Sequence, residues 1–461
     1  MKKILVFGTG NEYKNYKKWL QTAEIAALID NDEKKQGTVV DNLPVIAPKD
    51  CASYSVDCVY IMSSRYVRKM TEQLTKLGIP EEKIYYLFDL ADLGMKYKAP
   101  VCRIPVREKA AKKIALLSDN LQLSGAQFAL LNAAILLKKN GYFVMMASPT
   151  PGKLRSYISD EGIPLIIDER LRTGKIQDAE WLKDFDLVVV NTVLNYHLLL
   201  NRDTNIPVIW WLHETEYFYS LVMEYKIRMI NPKNLNIYAV SSLAKRPLLE
   251  IRDDFSIEDL FVYVKEDFHQ EEKIRKDNGK IVFAVIGVVC ELKGQDLLLK
   301  VLDVLSEDEN KQIEVWFIGR EDEEFIREYG EVIEEHSNVR KFGELGKSDL
   351  RKLYREIDVV VCSSRSENLC MAVLEGAQQS IVPIISTAAA VSDYFKDGWD
   401  GIIFQSENEV ELTEKIRWCL RNSDKLPEMG QRARKVYNTN FSEAIFEYNL
   451  LQAVGKVFEY V

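Results

Sequence analysis

Asp358-Val-Val-Val-Cys-Ser-Ser-Arg-Ser-Glu367-Asn-Leu-Cys-Met-Ala-Val-Leu-Glu375-Gly-Ala decides the fold. The run from Asp358 to Cys362 is short and, past the aspartate, β-branched and apolar on both faces, as an interior parallel strand requires. Ser363, Ser364 and Ser366 then offer N-cap side chains, so a helix is expected to start among them and to carry both glutamates. A helix entered from a buried strand directs free N–H groups and a positive dipole end at the carboxyl edge of the sheet, a site suited to a diphosphate. Eight helical residues span roughly 12 Å and turn about 800°. Glu367 and Glu375 would therefore flank that site as separate acceptors, one for sugar hydroxyls and one for ribose hydroxyls.

Strand-like and helix-like segments alternate along the whole chain, the pattern of parallel sheets covered by helices. With 461 residues, more than one core is expected. The C-terminal third predicts strands at Ile281–Ile286, Glu314–Ile318, Val339–Phe342, Ile357–Cys362 and Val382–Ser386. A middle stretch predicts strands at Lys113–Ser118, Phe143–Ala147, Asp186–Asn191, Pro207–Leu212 and Ile237–Ser241. There the turn Ser124-Gly125-Ala126-Gln127 leads into an apolar helix stopped by Gly141. Phe218, Val222, Tyr225 and Met229 recur at helical spacing, a stripe suited to core packing or to an acceptor or membrane surface.

The N-terminal residues open Ile4-Leu-Val-Phe-Gly8-Thr-Gly10-Asn-Glu-Tyr13 and reach Asp30 at the end of a second strand. Gly8, Gly10 and Asp30 outline a dinucleotide-binding half-fold, but Tyr13 stands where the third glycine belongs. A Rossmann-like module that binds no dinucleotide fits the same residues.

Apolar content of 47%, charged content of 28% and a net charge of −9 describe an ordinary globular protein and argue against a general nucleic-acid binder. A basic cluster, Lys96 to Lys113, fits a solvated linker or a surface that leans on anionic lipid. The seven cysteines form no CxxC and suggest reduced thiols in a cytosolic protein. His197, His213, His269 and His336 lack metal-ligand spacing, so no metal site is expected. No signal peptide and no bilayer-spanning run is read.

The C-terminal third resembles the family 4 retaining glycosyltransferases of the GT-B fold. The matching text is Ile286-Gly287-Val-Val-Cys-Glu-Leu-Lys293-Gly294-Gln, Val315-Trp-Phe-Ile-Gly319, Val339-Arg-Lys-Phe342-Gly343, Glu367 with Glu375, Pro383 to Thr387, and Asp397 to Phe404. Ser124-Gly125-Ala126-Gln127, His213 and Val240-Ser241 extend the match more faintly, so that it covers about residues 113–461. The resemblance implies an α/β protein with two Rossmann-like domains facing across a cleft, plus a small N-terminal Rossmann-like α/β domain. The domains implied are 1–95 (accessory), 96–112 (basic linker), 113–270 (acceptor side), 271–440 (nucleotide-sugar donor) and a C-terminal helix, 441–461, able to cross back to the acceptor side.

The resemblance also assigns roles. Lys293 pairs with the donor diphosphate and offsets charge on the leaving group. Glu367 orients the transferred sugar, which His213 reaches from the acceptor side. Glu375 holds the ribose. The N–H groups of Asn368, Leu369, Cys370 and Met371 cap the diphosphate beside Gly287. Gly319, Phe342 and Gly343 approach the base, and Gly125 lets backbone come close to the phosphates. Val288 stands where relatives often have an arginine, and Ala388 to Ala390 where many have a glycine pair. No cofactor or metal is required. The activity implied is retaining transfer from a nucleotide diphosphate-sugar to a glycan acceptor, lipid-linked, in bacterial surface polysaccharide synthesis. That places a cytoplasmic or peripheral enzyme at the inner membrane surface, with no nucleic-acid partner. Two alternatives stay open: a non-catalytic glycosyltransferase-like chaperone or regulatory subunit, and a nicotinamide-dependent enzyme using residues 1–95.

Overall fold

The computed structural model describes residues 2–63, 66–86, 112–172, 179–200, 202–219, 222–264 and 279–459. The basic linker is outside these residues apart from Lys112, as are Cys102 and His269. The residues divide into two compact units: Met1–Ala239 with Ala244–Glu258 and Lys456–Val461, and Val240–Leu243 with Asp259–Gly455.

Two sheets belong to the first unit. In the six-stranded N-terminal sheet, Lys3–Phe7 lies between Glu24–Ile29 and Cys58–Ile61, all parallel, and only the short Val39–Val40 runs antiparallel, beside Leu43–Ile46. Tyr13 is buried rather than open to a ligand, which accounts for the missing third glycine. The seven-stranded sheet has Lys113–Leu117 and Leu187–Asn191 at its centre. Its strands are buried runs because helices such as Gly125–Lys139 cover them. The expected Phe218–Met229 stripe does not form one packed face. Phe218 lies in the short helix Glu216–Tyr219 and Tyr225 in Glu224–Arg228, while Val222 and Met229 fall outside both; Val222 is buried but Phe218 and Met229 are exposed.

The second unit is built on a six-stranded sheet, ordered Val339–Lys341, Ile313–Ile318, Ile281–Ile286, Val359–Cys362, Val382–Ser386, Ile402–Phe404. Every pairing is parallel. Numbered within the sheet this is the doubly wound order 3-2-1-4-5-6, and the order reverses between Ile281–Ile286 and Val359–Cys362. Ligands of such sheets bind at that crevice, beyond the carboxyl ends of the strands. Phe283, Val285, Phe317, Val361 and Ile384 join Leu298 and Leu302 of the helix Gln295–Val304 in one core beneath the sheet.

No helix among the described residues is long and apolar enough to cross a membrane. The last helix runs Glu443–Glu459. Its final turn, from Lys456, counts with the first unit, where the Phe458 ring stacks 6.2 Å from that of Tyr142.

Candidate functional site

At the reversal point of the third sheet, the chain leaving Ile281–Ile286 and the chain leaving Val359–Cys362 meet. The first makes a turn through Gly287 to Gly294; the second runs through Ser363 to Cys370. Lys293 Nζ donates to Glu367 Oε2 across them, and both side chains are largely buried. Burial disfavours the ammonium, but the Glu367 carboxylate outweighs it and holds the Lys293 pKa above the ordinary lysine range. Ser364 Oγ adds a 3.3 Å bond to the same carboxylate oxygen.

The helix does not begin where the serines suggested. It spans Met371–Gln378, with Cys370 at the N-cap and no side-chain cap. The physical reason lies in the neighbouring strand connection. Glu367 N donates to Ala388 O (3.1 Å) and Ala390 N donates to Glu367 O (3.0 Å), which keeps the segment extended for longer. Ser363 instead spends its hydroxyl on Lys293 O at 2.8 Å. Glu367 therefore precedes the helix and Glu375 lies within it, so the pair is not spaced by eight helical residues. The N–H groups of Leu369, Cys370 and Met371 find no acceptor among the described residues, as expected of the last residues before a helix and its first. Asn368 accepts a 2.6 Å bond from Ser241 Oγ at its side-chain oxygen.

Glu375 receives a 2.6 Å hydrogen bond from Tyr354 OH, a fully enclosed phenol whose pKa burial drives well above its ordinary value. Gly287 and Gly319 end adjacent strands with φ of 144° and 150°. Gly287 N donates to Ile318 O at 2.8 Å, and a Cβ on Gly319 would collide with the Gly287 carbonyl. Only glycine fits there. Gly294, with φ 72°, is equally restricted, since a Cβ would strike the Ser363 carbonyl. Phe342 packs on Trp316 with ring centroids 4.9 Å apart, and Gly343 follows it with φ 65°.

Gly125 and His213 lie in the first unit. Gly125 opens its helix, with nothing near the place of a Cβ. His213 follows Val208–Leu212, and burial lowers its pKa to about 3. Next to it is Glu214, buried, which accepts from Val193 N (2.8 Å) and His213 N (3.0 Å). Burial raises the Glu214 carboxyl to about 7, with the charge of Asp119 adding to the rise. Thr192, at φ 70°, carries a buried hydroxyl with no hydrogen-bond partner among the described residues.

At the N-terminal sheet, Asp30 does not present an open carboxylate. Thr9 gives it both N–H (3.2 Å) and hydroxyl bonds, and Lys35 a 3.2 Å ion pair. Burial opposes the charged form, but these bonds lower its pKa. Gly8 and Gly10 flank this closed contact, and Gly10 caps a helix of only six residues. A shallow cavity of about 380 Å³ nearby is lined by Glu33, Gln36, Lys49, Gln73 and Lys76, without Gly8, Gly10 or Asp30.

Sequence reasoning missed several participants. Arg365 binds Asp296 and Glu407. Tyr354 holds Glu375. The free Cys362 and Cys370 thiols are hydrogen-bonded to each other, which lowers the pKa of Cys362 and raises that of Cys370. None has a short-range signature. Asp119 and Glu214, 95 positions apart, had none either.

Comparison with known proteins gives matches over most of the chain. Residues 266–436 match the family described as Glycosyl transferases group 1, residues 110–236 that described as Glycosyl-transferase family 4, and residues 1–85 that described as C2185-like, N-terminal. Spore coat protein SA of Bacillus subtilis (strain 168) is 26% identical over 207 residues, 42% of this chain and 54% of that protein. The chain thus spans about half the length of that curated relative. An uncharacterized glycosyltransferase of Methanocaldococcus jannaschii is 22% identical over 267 residues, 57% of this chain and 70% of its own. The crystal structure of Anabaena HepE in complex with UDP-glucose superposes with a TM-score of 0.61 at 14% identity, covering 75% of this chain and 99% of that one.

Proposed function

Because the chain is a family 4 glycosyltransferase of the GT-B fold, we propose that it moves a sugar from a nucleotide diphosphate-sugar to a glycan acceptor with retention of configuration. One observation carries this: the Lys293–Glu367 pair sits at the reversal point of the third sheet, beside the uncommitted N–H groups that lead into Met371–Gln378. A cation and a helix N-terminus suit a diphosphate, and a carboxylate beside them suits sugar hydroxyls. The relative solved with UDP-glucose supports a uridine donor.

The chemistry follows from charge. The bond between the anomeric carbon and the diphosphate oxygen breaks, and the acceptor oxygen bonds to that carbon on the same face. The acceptor's hydroxyl proton leaves with a diphosphate oxygen. Negative charge therefore grows on the leaving group, where Lys293 and the N–H groups of Leu369 to Met371 stabilise it. Glu367 orients the sugar, and Glu375, held by Tyr354, takes the ribose hydroxyls. No residue here is assigned as a nucleophile. By the resemblance, the acceptor is a lipid-linked glycan of bacterial surface polysaccharide, met at the cytosolic face of the membrane.

The test is hydrolysis and binding across a panel of nucleotide-sugars. Wild type should bind and slowly hydrolyse one donor. Lys293→Ala should lower kcat about 10²–10³-fold, the effect of removing one stabilising group at a developing anion. Failure of wild type to bind any nucleotide-sugar would favour a non-catalytic subunit.

A further inference from the structure

We propose that Arg365 is a positioning residue: its guanidinium holds the turn carrying Lys293 against the segment carrying Glu367, and so fixes the ammonium relative to the carboxylate. This rests on the donor-site reading above for its functional meaning, though not for its geometry.

Lys293 and Glu367 are 74 positions apart. Lys293 belongs to a single 3-10 turn, Glu291–Lys293, none of whose residues is buried. The turn itself carries no apolar anchor, although Val289 before it and Leu297 after it are buried, and its attachment to the Glu367 segment is polar. Ser363 Oγ holds Lys293 O at 2.8 Å, and Arg365 supplies the rest of that attachment through its backbone and its guanidinium. Its N–H donates to Leu292 O at 2.9 Å, and Nη1 donates to Glu291 O. The two Nη atoms grip the two oxygens of Asp296 at 2.8 Å each, and Nε reaches Glu407 at 2.7 Å. Asp296 lies in the first turn of Gln295–Val304 with its side chain only 3% exposed. One planar fork thus ties the turn, the helix behind it and the outer loop to a residue two positions before Glu367. A lysine has no such fork and could satisfy one of these partners at a time.

Loosening the fork lets the Lys293 turn shift while Glu367 stays held by Ala388 and Ala390. Leaving-group charge exists only in the transition state, so a displaced ammonium costs turnover more than ground-state binding. A displacement of about 1 Å can cost about a hundredfold in rate.

The decisive experiment is a double-mutant cycle on Lys293→Ala and Glu367→Ala, read as unfolding equilibrium constants, run in the wild-type background and again with Arg365→Gln. The expected coupling is about tenfold in the wild-type background, falling below twofold with Arg365→Gln. Coupling that survives Arg365→Gln overturns the proposal, because a residue that only adds stability would shift all four proteins equally. If Arg365→Gln does not fold, Arg365→Lys carries the same cycle, with reduced coupling expected. With UDP-glucose as probe, Arg365→Gln should lower kcat ten- to a hundredfold and leave KM within threefold; a change in KM alone refutes the positioning role. If wild type does not turn over UDP-glucose, the choice of that donor fails by itself, and the coupling cycle still decides the role of Arg365.

Discussion

Glu367 neutralises the cation proposed to meet the donor diphosphate, and Glu367→Gln therefore has a two-sided consequence. The pair is largely enclosed, with side chains 24% and 20% exposed. At an effective dielectric near 20, opposite charges about 4 Å apart attract by about 4 kcal/mol. Desolvation and side-chain ordering offset much of this, leaving about 1–2 kcal/mol that a competing phosphate must overcome. Removing the carboxylate charge releases Lys293, so UDP should bind up to about tenfold more tightly. The same change weakens bonds to the sugar hydroxyls, worth about 1.5–3 kcal/mol when the acceptor is charged. UDP-glucose affinity should then change little while the preference for UDP-glucose over UDP falls at least tenfold. Titration calorimetry with both ligands, at low and moderate salt, measures this directly. UDP that binds no more tightly to Glu367→Gln, or a selectivity ratio that stays put, refutes the reasoning.

Three further outcomes follow from the geometry. Tyr354→Phe removes the bond that orients Glu375 and should weaken nucleotide binding about three- to tenfold with kcat nearly unchanged; an unaltered UDP affinity would remove Glu375 from the ribose site. Gly294→Ala forces a left-handed φ and a clash with the Ser363 carbonyl, costing about 1–3 kcal/mol; denaturation and activity indistinguishable from wild type would contradict this. Burial raises the Glu214 carboxyl from 4.5 to about 7, so in that window the unfolded chain has lost a proton that the folded chain keeps. The stability Glu214 contributes is complete below pH 4.5 and is lost as pH rises towards 7. His197 and His213, lowered by desolvation to about 4 and about 3, slope the other way below pH 6.5. The wild-type profile minus that of Glu214→Gln therefore isolates the carboxyl, and a flat difference between pH 4.5 and 7 would disprove the shift.

The strands of the third sheet were legible because burial on both faces leaves a run of β-branched residues whatever the context. Ile281–Ile286 and Val382–Ser386 occur as expected. The helix start was misjudged because three serines look like caps from nearby sequence, whereas the extended path of Glu367 is imposed by Ala388 and Ala390, over twenty positions away. The residues that hold the site together were unreadable for the same reason. Asp296 and Arg365 look like two surface charges until the fold brings them to 2.8 Å. The N-terminal glycines were read correctly as a turn, but nothing in the chain order announces that Thr9 and Lys35 occupy Asp30.

Gly287 and Gly319 have an evolutionary corollary. Their contact leaves no room for a side chain on Gly319, and both sit at left-handed φ. Under the proposed donor geometry, the floor nearest the base is thus bare backbone, shut off from mutational tuning. Any drift in nucleotide preference among descendants of this chain must be written instead into the neighbouring loop, at exposed Glu344, because Phe342 is packed on Trp316 and Gly343 holds a left-handed φ.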